Sequence, residues 1–504
     1  MRAVISAGDR ITANAAGEII KMGGNAFDAA CAALLAAPLA EPALTSLGGG
    51  GFLSTYDSEG VKLYDFFVDV PPNRVENPDF FPIYVDFGSA VQEFHIGSGS
   101  IAVPGVVAGI YKLWREKGSL PLSDIISPAF KLAKEGFYLS KMQASLIKLL
   151  EPIFTATDEA KSIYAKDGKL IDERSIFRNE EYADFLTLFA KEGDEVFYKG
   201  EIADRFEKMS LENEGNIRKE DLKRYEVKER EPIIFEFKDY KIFTNSPPSS
   251  GGILIAFTLM LLENRNLGEF GSISHLKHLI EAMKITSDFR KDHINEHLHS
   301  ENLKDILKNE HLMKNFQKSY ESRLNLWGNT THMSIIDKDG NCVSVTTTNG
   351  EGSGYILPQT GIMLNNMLGE EDLNPHGFFK WPSYVRLPSM MSPTIVFEEN
   401  RPKLVLGSAG SNRIRSAIVN VILNNLIFGK SLQDSVDAPR VHFENDRVYI
   451  EPGFEKEVIN EIKRHFKVTL FDEKSLFFGG VNAVSGDYEG GCDLRRGAYV
   501  LKVE

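Results

Sequence analysis

Residues 327–348 read WGNTTHMSIIDKDGNCVSVTTT. Two β-branched-rich runs, HMSII and CVSVTTT, flank DKDGN, whose turn residues and Gly340 suit a hairpin. Thr330 and Thr331 therefore stand where an irregular segment becomes a strand. Threonine favours strands for packing reasons alone, so an isolated pair at a strand mouth carries little information. The other reading is a buried cleavage point and nucleophile. The rest of the chain decides between them.

Downstream, GIMLNNMLGEEDLNP is followed by RLPSMMSPTIVF and LVLGSAGSNRIRSAIVNVIL. The last segment reads as a strand, a small-residue elbow and a helix. Backbone N–H groups of Gly410 and Ser411 at such an elbow lie at a helix N-terminus, where an oxyanion is well received. A plain strand-to-helix turn accounts for the same residues. Upstream, IIFEFKDYKIFTNSPPSSGGILIAFTLMLLEN reads as a strand hairpin, a turn over Ser246 to Gly252 and a long apolar helix.

Residues 11–37 read as an Ala-rich helical pair split by Gly23-Gly24, with Asn25 capping the second helix. Gly48 to Gly51 then run into an alternating strand. Neither G-x-G-x-x-G nor a GK[ST] ending is present, so close backbone approach or a ligand-facing wall is expected rather than a phosphate loop. IAVPGVVAGIYKLWREKG reads as strand, Pro-Gly turn and helix, and residues 121–225 as mostly helical. From 273 to about 320 the chain is amphipathic and charge-rich. His293, His297 and His299 lack the H-E-x-x-H arrangement, so a solvated helical face is expected there, and no metal site. No tandem repeat or linker divides the chain, which suits one large α+β unit.

Bulk properties narrow the classes. With 504 residues and 42% hydrophobic content the chain can bury a large core. A net charge of −14 disfavours nucleic acid and anionic membranes as partners. Cys31, Cys342 and Cys492 are widely spaced and form no C-x-x-C unit, so neither a disulfide framework nor a zinc site is indicated. The N-terminal stretch has no apolar core of signal-peptide length, and ACAALLAAPLAEPAL is broken by Pro38 and Pro42 and too short to span a bilayer. The expected setting is cytoplasmic, without a cofactor.

Several of these segments together resemble the gamma-glutamyltranspeptidase family of N-terminal-nucleophile hydrolases. GGNAFDAA, GGGGF, VPGVVAG, PPSSGG, NTTHMSIIDKDGNCVSVTTT, GIMLNN, MSPTI, GSAGSNRI and DAPRVHF occur in the family's order. The resemblance implies a four-layer αββα sandwich, with two antiparallel sheets between helical layers. It implies self-cleavage between Asn329 and Thr330 into residues 1–329 and 330–504, which stay together as one compact heterodimer; a further homo-oligomer is compatible with it. Thr330 would be the nucleophile, with its freed α-amine as base. Such an amine titrates at roughly 7.7 to 8.0, close to neutral pH. Thr348 matches the family's processing-assisting Thr and Gly410 an oxyanion glycine, with Ser411 in place of the second glycine. Ser389 matches the first of two carboxylate-binding serines, and Glu370 the acidic amine partner, with Glu371 and Asp372 nearby.

The departures concentrate in substrate recognition. The family's D-F-R-E stretch is Asp65-Phe66-Phe67-Val68 here, so Phe67 stands where an Arg grips the γ-glutamyl α-carboxylate. The second carboxylate-binding Ser is Met390, an amine-binding Gln is Met367, and Asn349 is shifted by one position from the amine-binding Asn. A phenyl ring cannot make a bidentate guanidinium contact. The expected activity is a self-processing Thr amidohydrolase or acyltransferase acting through an acyl-enzyme on Thr330, with a donor other than glutathione. Two alternatives stay open: a genuine gamma-glutamyltranspeptidase whose Arg comes from elsewhere, for instance Arg74 or Arg386, and a catalytically idle binder of a small ligand.

Overall fold

The computed structural model describes residues 1–86, 91–295, 297–300, 303–308 and 329–504. Strand β1 (Ala3–Ala7) leads into helices α1 (Arg10–Lys21) and α2 (Ala26–Ala40). Asp9 caps α1 by accepting from Ile11 N–H, and Asn25 closes a capping box with Asp28 at α2. The expected pair is thus present. It continues past Pro38, because a proline in the last turn forfeits one backbone bond while Glu41 N–H still closes on Ala37 O.

Strands β2 (Gly50–Asp57) and β3 (Gly60–Phe66) follow as a hairpin. Residues 101–105 do not form the expected strand. Val103 makes a single bridge to Asp69, Pro104 supplies no donor, and a helix begins at Val106. Helices then dominate to Arg224, among them Leu122–Glu135, Glu180–Glu192 and Glu201–Glu212. Next come β4 (Lys228–Arg230), β5 (Ile233–Phe237), β6 (Tyr240–Thr244), α3 (Gly251–Leu262) and α4 (Ile273–Phe289). The last third carries β7 (Thr331–Asp337), β8 (Cys342–Thr348), β9 (Thr394–Glu398), β10 (Arg401–Ala409) and α5 (Ile414–Ile422). It ends with β11 (Gly480–Ser485), β12 (Gly490–Gly491) and β13 (Tyr499–Val503).

Two antiparallel sheets result. One has the order β4-β3-β2-β8-β7-β1-β13 and the other β5-β6-β9-β10-β11-β12. The β7–β8 hairpin turns at DKDGN as its residues predict. Asp337 Oδ1 accepts from the backbones of Asp339 and Asn341, and Gly340 takes φ +82°.

This hairpin is buried on both faces, which explains its incomplete alternation. Met333, Ile335, Val343 and Val345 enter a core shared with α1 and α2. Ser334 and Ser344 point the other way and donate to the carbonyls of Asn482 (3.1 Å) and Leu406 (2.9 Å) in the second sheet. The sheets therefore lie face to face. The contact is polar near Thr331 and apolar at the other end, where Val4, Ile336, Ile395, Val405 and Val484 meet. On the far side of the second sheet, Val396, Leu404 and Leu406 share a core with α3, α4 and α5.

The glycine run is a close-approach device. A Cβ on Gly49 would sit 2.1 Å from Thr348 O, so only glycine lets this backbone pass behind the end of β8. In the charge-rich segment after α4, His297 and His299 are exposed, as expected of a solvated face. His299 Nε2 bonds the Arg386 carbonyl at 2.8 Å and its ring meets Trp381 edge-on. Most of residues 301–328 lie outside the described residues.

Candidate active site

Thr331 pairs with Thr347 across the β7–β8 ladder, so the register brings the end of β8 alongside residues 329 and 330. Thr348 Oγ1 donates to the Asn329 carbonyl oxygen and accepts from Gly350 N–H at 3.1 Å. The peptide unit joining Asn329 to Thr330 is thereby held with its carbonyl polarised. Thr331 faces away. Its hydroxyl donates to Glu41 Oε2 at 2.5 Å, while Thr12 donates to Glu41 Oε1 at 2.7 Å. Burial, and then the charge of Asp9, push the Glu41 carboxyl up to about 7.

His332 is no proton shuttle. Burial pushes it down to about 3, and its ring is fixed between Thr346 Oγ1 (2.8 Å) and Ser334 Oγ (2.9 Å). It packs against the Gly407 backbone, where a Cβ would approach the ring within 2.3 Å.

Asn329, Thr330 and Thr348 open onto one cleft. Phe67, Glu370, Asp372, Ser389, Met390 and Ser411 line the same cleft, so nine of the residues singled out in the sequence converge here. Gly410 and Asn349 do not line it. Asn349 is buried behind the wall, with Nδ2 directed at Leu364 O (3.5 Å). Met367 is fully buried and also absent from the cleft wall.

The elbow after β10 has two successive residues at positive φ, Gly410 at +118° and Ser411 at +49°. Ser411 Oγ donates to Asp372, and Asn412 Nδ2 donates to the other Asp372 oxygen at 3.3 Å. Asp372, which lines the cleft, thus ties the elbow to the neighbouring loop.

The opposite wall is apolar. Phe67 is fully buried and stacks on Phe52 with centroids 5.4 Å apart. Arg386 lies behind it, donating to Phe67 O at 2.8 Å and pairing with Asp65 (3.2 Å) and Asp69 (2.8 Å). Arg74 donates to the carbonyls of Pro71, Asn73 and Trp381. Neither arginine lines the cleft, so neither stands in for the missing guanidinium.

Glu370 lines the cleft with Oε1 unpartnered among the described residues. Burial, then Glu351 and Asp372, hold it well above the usual carboxylate range, and burial pushes Glu351 up to about 8. One charged residue of the cleft escaped the sequence reading: Arg290, the first residue after α4. Its spacing was the available signal. It follows the buried Thr286 by four residues and Met283 by seven, on the helix face turned inward. Among the described residues, no cluster of three or more His, Cys, Asp or Glu could hold a metal ion.

Comparison with known proteins identifies the family. A family model described as Gamma-glutamyltranspeptidase matches residues 12–503. The glutathione hydrolase proenzyme of Escherichia coli (strain K12) is 30% identical over 481 residues, covering 88% of this chain and 81% of that protein. The acylase ACY 1 proenzyme of Pseudomonas sp. (strain V22) is 29% identical, covering 95% of this chain and 89% of that protein. In fold, a cephalosporin acylase from Bacillus halodurans superposes with a TM-score of 0.85 at 23% identity, covering 100% of this chain and 96% of that one. The chain belongs to the gamma-glutamyltranspeptidase family.

Proposed function

We propose that this chain is a self-processing threonine amidohydrolase or acyltransferase of altered donor specificity. The observation that carries the reading is the hydrogen bond from Thr348 Oγ1 to the Asn329 carbonyl, beside the Thr330 hydroxyl at the head of the cleft. In the first event Thr330 Oγ adds to the Asn329 carbonyl carbon and its proton passes to the Thr330 nitrogen. The C–N bond breaks to leave an ester, and water hydrolyses the ester to an Asn329 carboxylate and a free Thr330. Residues 1–329 and 330–504 then remain as two chains of one unit. The stacked antiparallel sheets with helices outside each support the αββα reading.

The new α-amine of Thr330 titrates near neutrality and takes the proton of its own hydroxyl. That hydroxyl attacks a substrate amide, and the amine returns the proton to the leaving nitrogen. Backbone N–H groups of the Gly410–Ser411 elbow receive the oxyanion. Water or an acceptor amine then releases the acyl group.

Phe67 and Met390 replace polar carboxylate contacts with apolar wall. Losing one charge-assisted contact costs about 1.5 to 3 kcal/mol, or one to two decades of affinity. Free γ-glutamyl donors are therefore poor substrates, and acyl amides lacking the α-carboxylate are better ones. The test is hydrolysis of γ-glutamyl anilide beside straight-chain acyl anilides, with intact-mass detection of an acyl adduct on the 330–504 fragment. A clear preference for the γ-glutamyl donor contradicts the altered specificity, and an adduct on any other residue contradicts the role of Thr330.

A further inference from the structure

The proposed scission frees an amine on a buried residue, and the charges around it decide how readily that amine is protonated. On the cleft side of Thr330 lie Glu370, Asp372 and Arg290. Behind Thr330 is a small cavity whose lining includes Gly8, Thr331, Asp493 and Arg496. Asp493 is already committed, paired with Arg440 at 2.7 Å and with Arg495 at 3.2 Å.

Glu41, just past the end of α2, is in a different position. It is fully buried, with Oε2 accepting from Thr331 Oγ1 and Oε1 accepting from Thr12 Oγ1. Gly8 packs over this contact. A Cβ there would approach Glu41 Oε2 within 2.2 Å and Thr331 Oγ1 within 2.3 Å. The carboxyl thus lies directly under a residue that lines the cavity behind Thr330. Among the described residues no cation pairs with Glu41, and the charge acting on it is that of Asp9, of the same sign.

A buried carboxylate without a cation is costly. The uncut chain offers none, and scission places one on the residue next to Thr331. An α-amine ordinarily titrates at roughly 7.7 to 8.0. A carboxyl held at about 7 is already mostly ionised there. Each charge then favours the other, and the two groups titrate as a pair.

Resting on the function proposed above, we infer that Glu41 is a positioning residue: acting through Thr331, its carboxylate is the counter-charge of the freed Thr330 amine and sets the pH at which that amine serves as base. Only the neutral amine can take the hydroxyl proton. The carboxylate favours the ammonium, so it holds the acid limb of activity at a higher pH than a neutral neighbour would.

The test is the pH profile of kcat/KM for purified, self-cleaved protein, with butyryl p-nitroanilide and γ-glutamyl p-nitroanilide as substrates. This profile reports the essential groups of the free enzyme. Glu41→Gln keeps the shape and removes the charge, and its acid limb moves down by about 0.5 to 1 pH unit. Thr331→Val leaves the carboxyl one donor short and so less ionised, and moves the limb the same way by less. It gives the same readout should Glu41→Gln remain uncut. Two fragments on a denaturing gel and an unfolding temperature at pH 6 close to wild type verify that each variant folds. A lower kcat with the acid limb unmoved marks a merely structural role and overturns the inference alone, as does a limb that moves up. Turnover of neither anilide by cut wild-type protein overturns it together with the proposed function.

Discussion

Thr348 Oγ1 donates its hydrogen bond to the carbonyl oxygen of Asn329, nineteen residues earlier in the chain. A donor already aimed at the carbonyl to be attacked acts on the charge that develops there. Thr348→Val keeps the shape and removes the donor. The time course of fragment formation on a denaturing gel should slow by about 100-fold, and Thr348→Ser should retain most of the rate.

The Glu41 carboxyl behind Thr331 gives stability a pH dependence of defined sign. Burial and Asp9 raise it from its ordinary 4.5 to about 7. The folded chain therefore favours the protonated form. The associated stability is complete below pH 4.5 and is lost as pH rises toward 7, amounting to about 3 kcal/mol. Glu41→Gln removes this term. Its unfolding temperature should fall less between pH 5 and pH 7.5 than that of the wild type, as read by circular dichroism.

The elbow holds Ser411 in the left-handed region and compensates with the bond to Asp372. Ser411→Ala keeps the unfavourable φ and loses the bond, so kcat should fall about 5- to 10-fold with a smaller change in KM. Ser411→Gly relieves the backbone while losing the same bond, and should lie closer to wild type in unfolding temperature.

Phe67 is fully buried between Phe52 and the backbone of Gly50, where a Cβ on the glycine would already approach Phe67 Cα within 2.9 Å. Phe67→Ala should cost about 3 to 4 kcal/mol in urea unfolding. Phe67→Arg should cost at least as much, since Asp65 behind the wall is already paired with Arg230 at 2.6 Å and with Arg386.

Much of the architecture was legible because local signals and burial agreed. The DKDGN turn, the Asn25 cap and the elbow at Gly410 each have a local chemical cause, and each appears where its residues indicate. The cleft residues were legible through ordered motifs rather than periodicity. Asn349, already set apart in the sequence by its shift of one position, is buried and does not line the cleft. The strand expected before Pro104 failed for want of a donor and a partner. Arg290 was missed because a charged residue in a charge-rich helix resembles a solvated one. Only its four- and seven-residue spacing from buried neighbours marked it as inward.

The claim on which the rest depends is scission between Asn329 and Thr330. Intact-mass measurement of purified, catalytically active protein tests it most directly. The expected result is two species corresponding to residues 1–329 and 330–504, and a single uncut species from Thr330→Ala. A single 56.3 kDa chain in fully active wild-type material would contradict the account.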